Sequence, residues 1–136
     1  MWQSPAILRA RRDLGIVPTE PTGVFRPHED VLATFANDIG IAVRAGQVDA
    51  EHVRRYFGYY VKAYWVVLEP QITKYREMND FPAVFSSFEY LYRLVTELDA
   101  RKGLGPVSAP EADRFRKEEM VQAQYHLEAN SGKFDL

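Results

Sequence analysis

Cysteine is absent from the 136 residues, which removes disulfides, thiol catalysis and thiolate metal ligation from the chemistry open to this chain. That absence also fits a reducing compartment. A basic excess is missing as well: 17 Lys and Arg oppose 19 Asp and Glu. Neutralising a phosphate backbone needs a surplus of positive charge, so nucleic acid is not expected as the main partner. No run approaches the roughly 20 apolar residues that span a bilayer, so no transmembrane segment is expected. Met1-Trp2-Gln3-Ser4-Pro5 offers neither a basic region nor an apolar one, and no signal peptide is read. These absences together predict a cytoplasmic protein.

Catalytic and metal-binding constellations are equally scarce. The three histidines, His28, His52 and His126, form no H-x-x-H or H-E-x-x-H spacing. His28 and His52 open consecutive helices, and a helix of about 18 residues is about 27 Å long, so those two rings stand too far apart to share a metal. Helical bundles can house di-iron sites through Glu-x-x-His pairs, but Glu69, Glu77 and Glu89 belong to no such motif and read as solvated carboxylates. Ser86-Ser87 has no histidine nearby in sequence and no G-x-S-x-G elbow around it. Gly103-Leu104-Gly105-Pro106 lacks the Gly-Lys-Ser/Thr ending of a phosphate loop and reads as a helix-ending linker. No catalytic residue, metal or cofactor is expected, and the chain is read as a non-enzyme.

What is present is helix. A composition 46% apolar and 26% charged is that of an ordinary globular protein, and its length suits one domain. The fold class is read as all-α, an antiparallel bundle of about five helices with a kinked central helix. Residues 1–26 hold a short helix and an extended connector, 27–103 the bundle core, and 104–136 a linker and C-terminal helix.

Ser4 and Pro5 predict the first helix, running to about Asp13 and stopping near Gly15. Gly15, Pro18, Pro21 and Gly23 then punctuate a connector. A second helix opens at Pro27, with Val31, Leu32, Phe35, Ala36, Ile39, Ala42 and Val43 as its buried stripe, and Gly46 closes it. Asp49 caps a third helix over about 50–79, and so short a link predicts that the second and third helices are antiparallel neighbours. The third carries the strongest pattern: Val53, Tyr56, Phe57, Tyr60, Val61, Tyr64, Trp65 and Leu68 follow a three-four spacing. Gly58 implies close approach of another helix, and Pro70 a kink rather than an end, because Ile72, Tyr75 and Met78 continue the apolar face.

A fourth helix is predicted over about 82–102, with Val84, Phe85, Phe88, Leu91, Tyr92, Val95 and Leu98 on one face. Ser108-Ala109-Pro110-Glu111 has the form of a capping box and starts a fifth. Its apolar residues, Phe115, Met120, Val121, Tyr125 and Leu127, share no single face, so its docking is undetermined and the tail from Asn130 is expected to fray. Across helices one and two is one way it would lie.

Four patterns from Phe35 to Leu91 carry a resemblance: Phe35 to Gly40, Gly46 with Asp49, Phe57-Gly58 with Trp65, and Ile72 with Arg76 followed by Phe88-Glu89 and Leu91. Together they resemble an uncharacterised family of short bacterial all-helical proteins, a domain of unknown function. Some of its members carry membrane helices before this domain, and Trp2 followed by Arg9, Arg11 and Arg12 resembles the segment just after such a helix. The resemblance implies a helical fold and brings no activity with it. It points to Arg76 and Glu89 as a structural pair tying the third helix to the fourth.

Three functional expectations follow. The leading one is an interaction or scaffold module that associates with itself or another protein, with Phe115, Met120, Val121, Tyr125 and Leu127 as the contact residues. A second is a small-molecule sensor using Tyr56, Tyr60, Tyr64 and Trp65 as a pocket with hydroxyl anchors. A third is peripheral contact with nucleic acid or membrane through the basic first helix. The basic runs, Arg9-Arg11-Arg12, Arg54-Arg55 and Arg114-Arg116-Lys117, are each offset by nearby acids and read chiefly as solvated helix faces.

Overall fold

Ser4 opens the first helix, α1 (Pro5–Ile16), by accepting a hydrogen bond from the Ile7 N–H at 3.4 Å, with Pro5 where no N–H is required. In the computed structural model, which describes residues 3–131, four further helices follow: α2 (Pro27–Arg44), α3 (Ala50–Met78), α4 (Ser86–Arg101) and α5 (Ala109–Ser131). No strand occurs among the described residues. Met1, Trp2 and residues 132–136 lie outside them, and with them the expectation attached to Trp2.

α1 is longer and more central than its sequence suggests. Gly15 lies inside the helix instead of ending it. A Cβ there would come within 2.3 Å of Met120 Cβ and 2.8 Å of the Arg116 carbonyl oxygen, so this glycine lets α5 lie directly on α1. Leu8 and Leu14 are completely buried, and Ile7 and Ala10 nearly so. The connector after α1 is pinned by one buried side chain of α3. Gln71 accepts from the Gly23 N–H at 2.8 Å and donates to the Val24 carbonyl at 2.9 Å, so this irregular segment finds its hydrogen-bond partners inside the protein.

α2 ends as expected. Gly46 takes a left-handed φ of +75°, Gln47 N–H reaches the Ala42 carbonyl and Gly46 N–H reaches that of Val43. The helix that packs most closely on α2 is α4, not α3. Gly40 explains this: a Cβ there would sit 2.1 Å from the Ser87 carbonyl oxygen, so the two helices cross almost backbone to backbone. Gly58 plays the same part on α3, where an added Cβ would meet Val95 at 3.3 Å. Phe35 of α2 and Phe57 and Tyr60 of α3 line a small apolar cavity between those two helices.

α3 continues through Pro70 to Met78. α4 begins at Ser86, four residues later than its apolar spacing predicts. Asp80 and Phe85 both adopt left-handed φ, at 48° and 53°, and the chain between them is a sequence of turns. A tertiary cap substitutes for a local one at this start: Asn37 of α2 accepts from the Phe88 N–H at 2.9 Å. The α3–α4 pair is antiparallel, with Arg54 near Asp99 at one end, Trp65 against Phe88 and Tyr92 in the middle, and Arg76 near Glu89 at the other. Val61, Trp65, Phe88, Leu91 and Val95 are buried in the core, while Phe35, Ile39 and Phe57 are partly buried against it.

α5 docks on α1 and α3 and does not touch α2, contrary to the alternative of lying across α1 and α2. It is helical through Ser131, and the remainder of the tail expected to fray, residues 132–136, lies outside the described residues. Ser108 accepts from the Glu111 N–H at 3.3 Å, the cap that the sequence predicts.

Candidate functional site

The stripe by which α5 is buried consists of Ala112, Arg116, Glu119 and Ala123. Their spacing of four, three and four is helical, but the residues are small or charged, so hydrophobic periodicity is blind to them. Arg116 donates through Nη1 to the carbonyls of Leu14 and Gly15, both at 2.9 Å, and thereby satisfies the C-terminal end of α1. Glu119 receives Arg11 at 2.8 Å with both side chains almost fully shielded from water. The Tyr64 hydroxyl of α3 shares that site with both of them. Burial pushes the Glu119 carboxyl above the ordinary glutamate value against the pull of Arg11. Burial likewise pushes the Tyr64 hydroxyl well above its ordinary range.

These contacts correct the reading of the basic runs as solvated faces at Arg11, Arg54 and Arg116, while Arg9, Arg55, Arg114 and Lys117 stay exposed as expected. Arg11 and Arg116 are buried, Arg54 binds Asp99 at 3.0 Å and Glu51 at 2.7 Å, and Lys117 meets Asp113 at 3.1 Å. On α1, Arg9 is exposed, Arg11 is buried and Arg12 turns to Asp13 at 3.0 Å, so the three do not share one basic surface. Lys62 adds a buried cation that the sequence reading passed over: its Nζ lies 2.6 Å from Asp99 and donates to the Gly105 carbonyl at 3.2 Å. Burial pushes the Asp99 carboxyl up, but Lys62 and Arg54 together outweigh it and hold the group below its usual range.

The four aromatic candidates do not converge. Tyr56 is exposed and lies against the His52 ring at 4.7 Å, while Trp65 is buried against Phe88 and Tyr92. Tyr60 and Tyr64 do line one apolar cavity, with Phe35, Ile39 and Phe57 among its other walls. That cavity holds about 20 Å³, room for about one water. Arg76 and Glu89 are brought together at 2.7 Å, and the same guanidinium donates to the Val84 carbonyl from Nε at 3.0 Å and Nη2 at 2.9 Å. Arg76 therefore holds the turn before α4 as well as α4 itself.

The five contact candidates on α5 divide between its two sides. Phe115 turns inward, its ring 5.0 to 5.4 Å from those of Tyr59, Tyr60 and Tyr64. Met120 is partly buried over Gly15, and Leu127 is partly buried too. Val121 and Tyr125 face outward, 61% and 66% exposed, beside Ile16 of α1 at 58%. With Arg12, Met120 and Gln124, these three line a mostly apolar groove of about 460 Å³ along the α1–α5 seam. The outward apolar residues were legible as candidates, but nothing in the sequence assigned Ile16 to the same surface. Among the described residues no group of His, Asp and Glu could hold a metal ion, and no helix is long and apolar enough to cross a membrane.

No curated protein and no solved structure matches this chain. The matching family spans residues 30–94, from the first turn of α2 to the middle of α4, which leaves α1, α5 and their outward groove beyond the match. Residues 30–94 are similar to the family described as a domain of unknown function, DUF4760.

Proposed function

We propose that this chain is a non-enzymatic interaction module of the bacterial cytoplasm that docks a protein partner on the α1–α5 face. The observation that carries the reading is the shared exposure of Ile16, Val121 and Tyr125 around one apolar groove. Isolated exposed apolar residues are ordinary, but a contiguous set beside a concave surface is characteristic of binding sites. Aromatic anchors such as Tyr125 supply large contact area at little rotamer cost, which suits them to interfaces. The support beneath the face is rigid, because Arg116, Glu119 and Arg11 lock α5 to α1 from below. A preformed surface gives affinity without an ordering cost.

A photo-crosslinking amino acid at Tyr125, in the cell, tests this reading against the same residue at Tyr90 on α4. Adducts at position 125 and none at position 90 are expected. A chain that gives no adduct at position 125 contradicts the reading.

A further inference from the structure

We infer that the partner on this face is a second copy of the chain, docked with α5 antiparallel to α5 about a twofold axis at Val121. This rests on the interaction reading above and names its occupant. The outward residues of α5 recur at Arg114, Glu118, Val121, Tyr125 and Glu128, a four-three-four-three spacing that matches the 3.5-residue repeat of a helix–helix seam. Arg114, Glu118, Val121, Tyr125 and Glu128 are all exposed.

Charge fixes the direction and register. Arg114 and Glu128 lie seven residues to either side of Val121, two helical turns each way, about 10 Å along the axis. A parallel pair about the same residue would set Arg114 against Arg114 and Glu128 against Glu128. The antiparallel pair sets Arg114 of each copy against Glu128 of the other, twice over. Glu128 is exposed and accepts a hydrogen bond from Gln124 within its own helix at 2.9 Å. Arg114 forms no ion pair among the described residues, unlike Arg116 and Lys117, which both bind Asp113. A twofold interface must be complementary to itself, and this arrangement of cation, apolar centre and anion is. Ile16 widens the apolar centre from the α1 side of the seam.

Two measurements on the purified full-length chain test the inference. The first is sedimentation velocity across a concentration series, expected to show a reversible dimer. Arg114→Glu and Glu128→Arg should each weaken it about tenfold, because each sets like charges opposite one another. The double variant with both changes should return to within about threefold of wild type, since the pairing is restored with reversed sign. Both positions are exposed, so unchanged melting temperatures will show that folding is intact. The second uses the chain's lack of cysteine. Val121→Cys should form a disulfide-linked dimer under mild oxidation far faster than Glu77→Cys on the exposed side of α3. A double variant no tighter than either single one, or equal cross-linking at positions 121 and 77, overturns the antiparallel register. A chain that stays monomeric while position 125 gives cellular adducts to a protein of another mass overturns the second copy and leaves the interaction reading standing.

Discussion

Arg11 and Glu119 meet at 2.8 Å across 108 residues of sequence, at a point where water reaches almost nothing of either side chain. The pair joins the first helix to the last, on the underside of the face assigned to partner binding. Removing one member strands a buried charge, whereas removing both leaves an apolar site that neighbouring side chains can fill. Arg11→Met alone should therefore cost about 3–5 kcal/mol, and Arg11→Met with Glu119→Leu should recover most of that loss. Urea unfolding of the three variants measures it. A double variant less stable than Arg11→Met would show that the ion pair is a net source of stability.

Gly40 makes a sharper demand. Its missing side chain is where the Ser87 carbonyl sits, and a backbone atom at the first turn of α4 cannot swing aside as a flexible side chain would. Gly40→Ala should destabilise by about 1–3 kcal/mol or more, despite alanine's better helix propensity. Thermal unfolding should show a clear fall in melting temperature; a neutral or stabilising change would mean that α2 and α4 separate easily.

The Arg76–Glu89 pair predicts a coupling that charge alone does not supply. Arg76 holds the Val84 carbonyl through two nitrogens and Glu89 through a third, a planar fork that lysine lacks. A double-mutant cycle at positions 76 and 89 should give about 1 kcal/mol, and Arg76→Lys should restore less than half of what Arg76→Ala loses. Full restoration by lysine would reduce the contact to simple charge attraction.

Acid should act first through His28. Burial lowers its pKa below the ordinary 6.5, outweighing the attraction of Glu29 and Asp13. The folded protein therefore binds this proton less readily than the unfolded chain does. The stability it contributes is complete above pH 6.5 and is lost as pH falls through the lower folded value. Urea midpoints taken from pH 7.5 down to 5 should fall, and His28→Gln should flatten that slope. Asp99, held below its usual range by Lys62 and Arg54, contributes stability that disappears only in stronger acid, below the ordinary value of 3.8. An equal slope in His28→Gln would assign the acid sensitivity elsewhere.

Much of the architecture is written in apolar spacing and turn chemistry. The Val53 to Leu68 stripe, the Gly46 close of α2 and the Ser108 cap of α5 each produce the structure their residue types demand. The start of α4 was displaced because Phe85 accepts a left-handed backbone, which costs about 1–2 kcal/mol, with its ring packed against Phe25. α5 was undetermined for a different reason. Ala112, Arg116, Glu119 and Ala123 bury through small size and ion pairing, and only the structure shows that their partners are Arg11 and the end of α1. Once that stripe faces inward, Val121 and Tyr125 must face out. The candidate site is thus set by residues whose own sequence signal is that of a solvated surface.

Thiol labelling of α5 in this cysteine-free chain tests the central claim most directly. Val121→Cys and Ala123→Cys differ by two residues, yet position 121 is 61% exposed and position 123 is completely buried. In dilute protein, Val121→Cys should label rapidly and Ala123→Cys slowly. As concentration rises, position 121 should become protected while position 123 stays as it was, because association covers the outward face alone. Equal labelling at the two positions would contradict the docking of α5, and a position 121 that is never protected, in concentrated protein or in the cell, would contradict its use as a binding face.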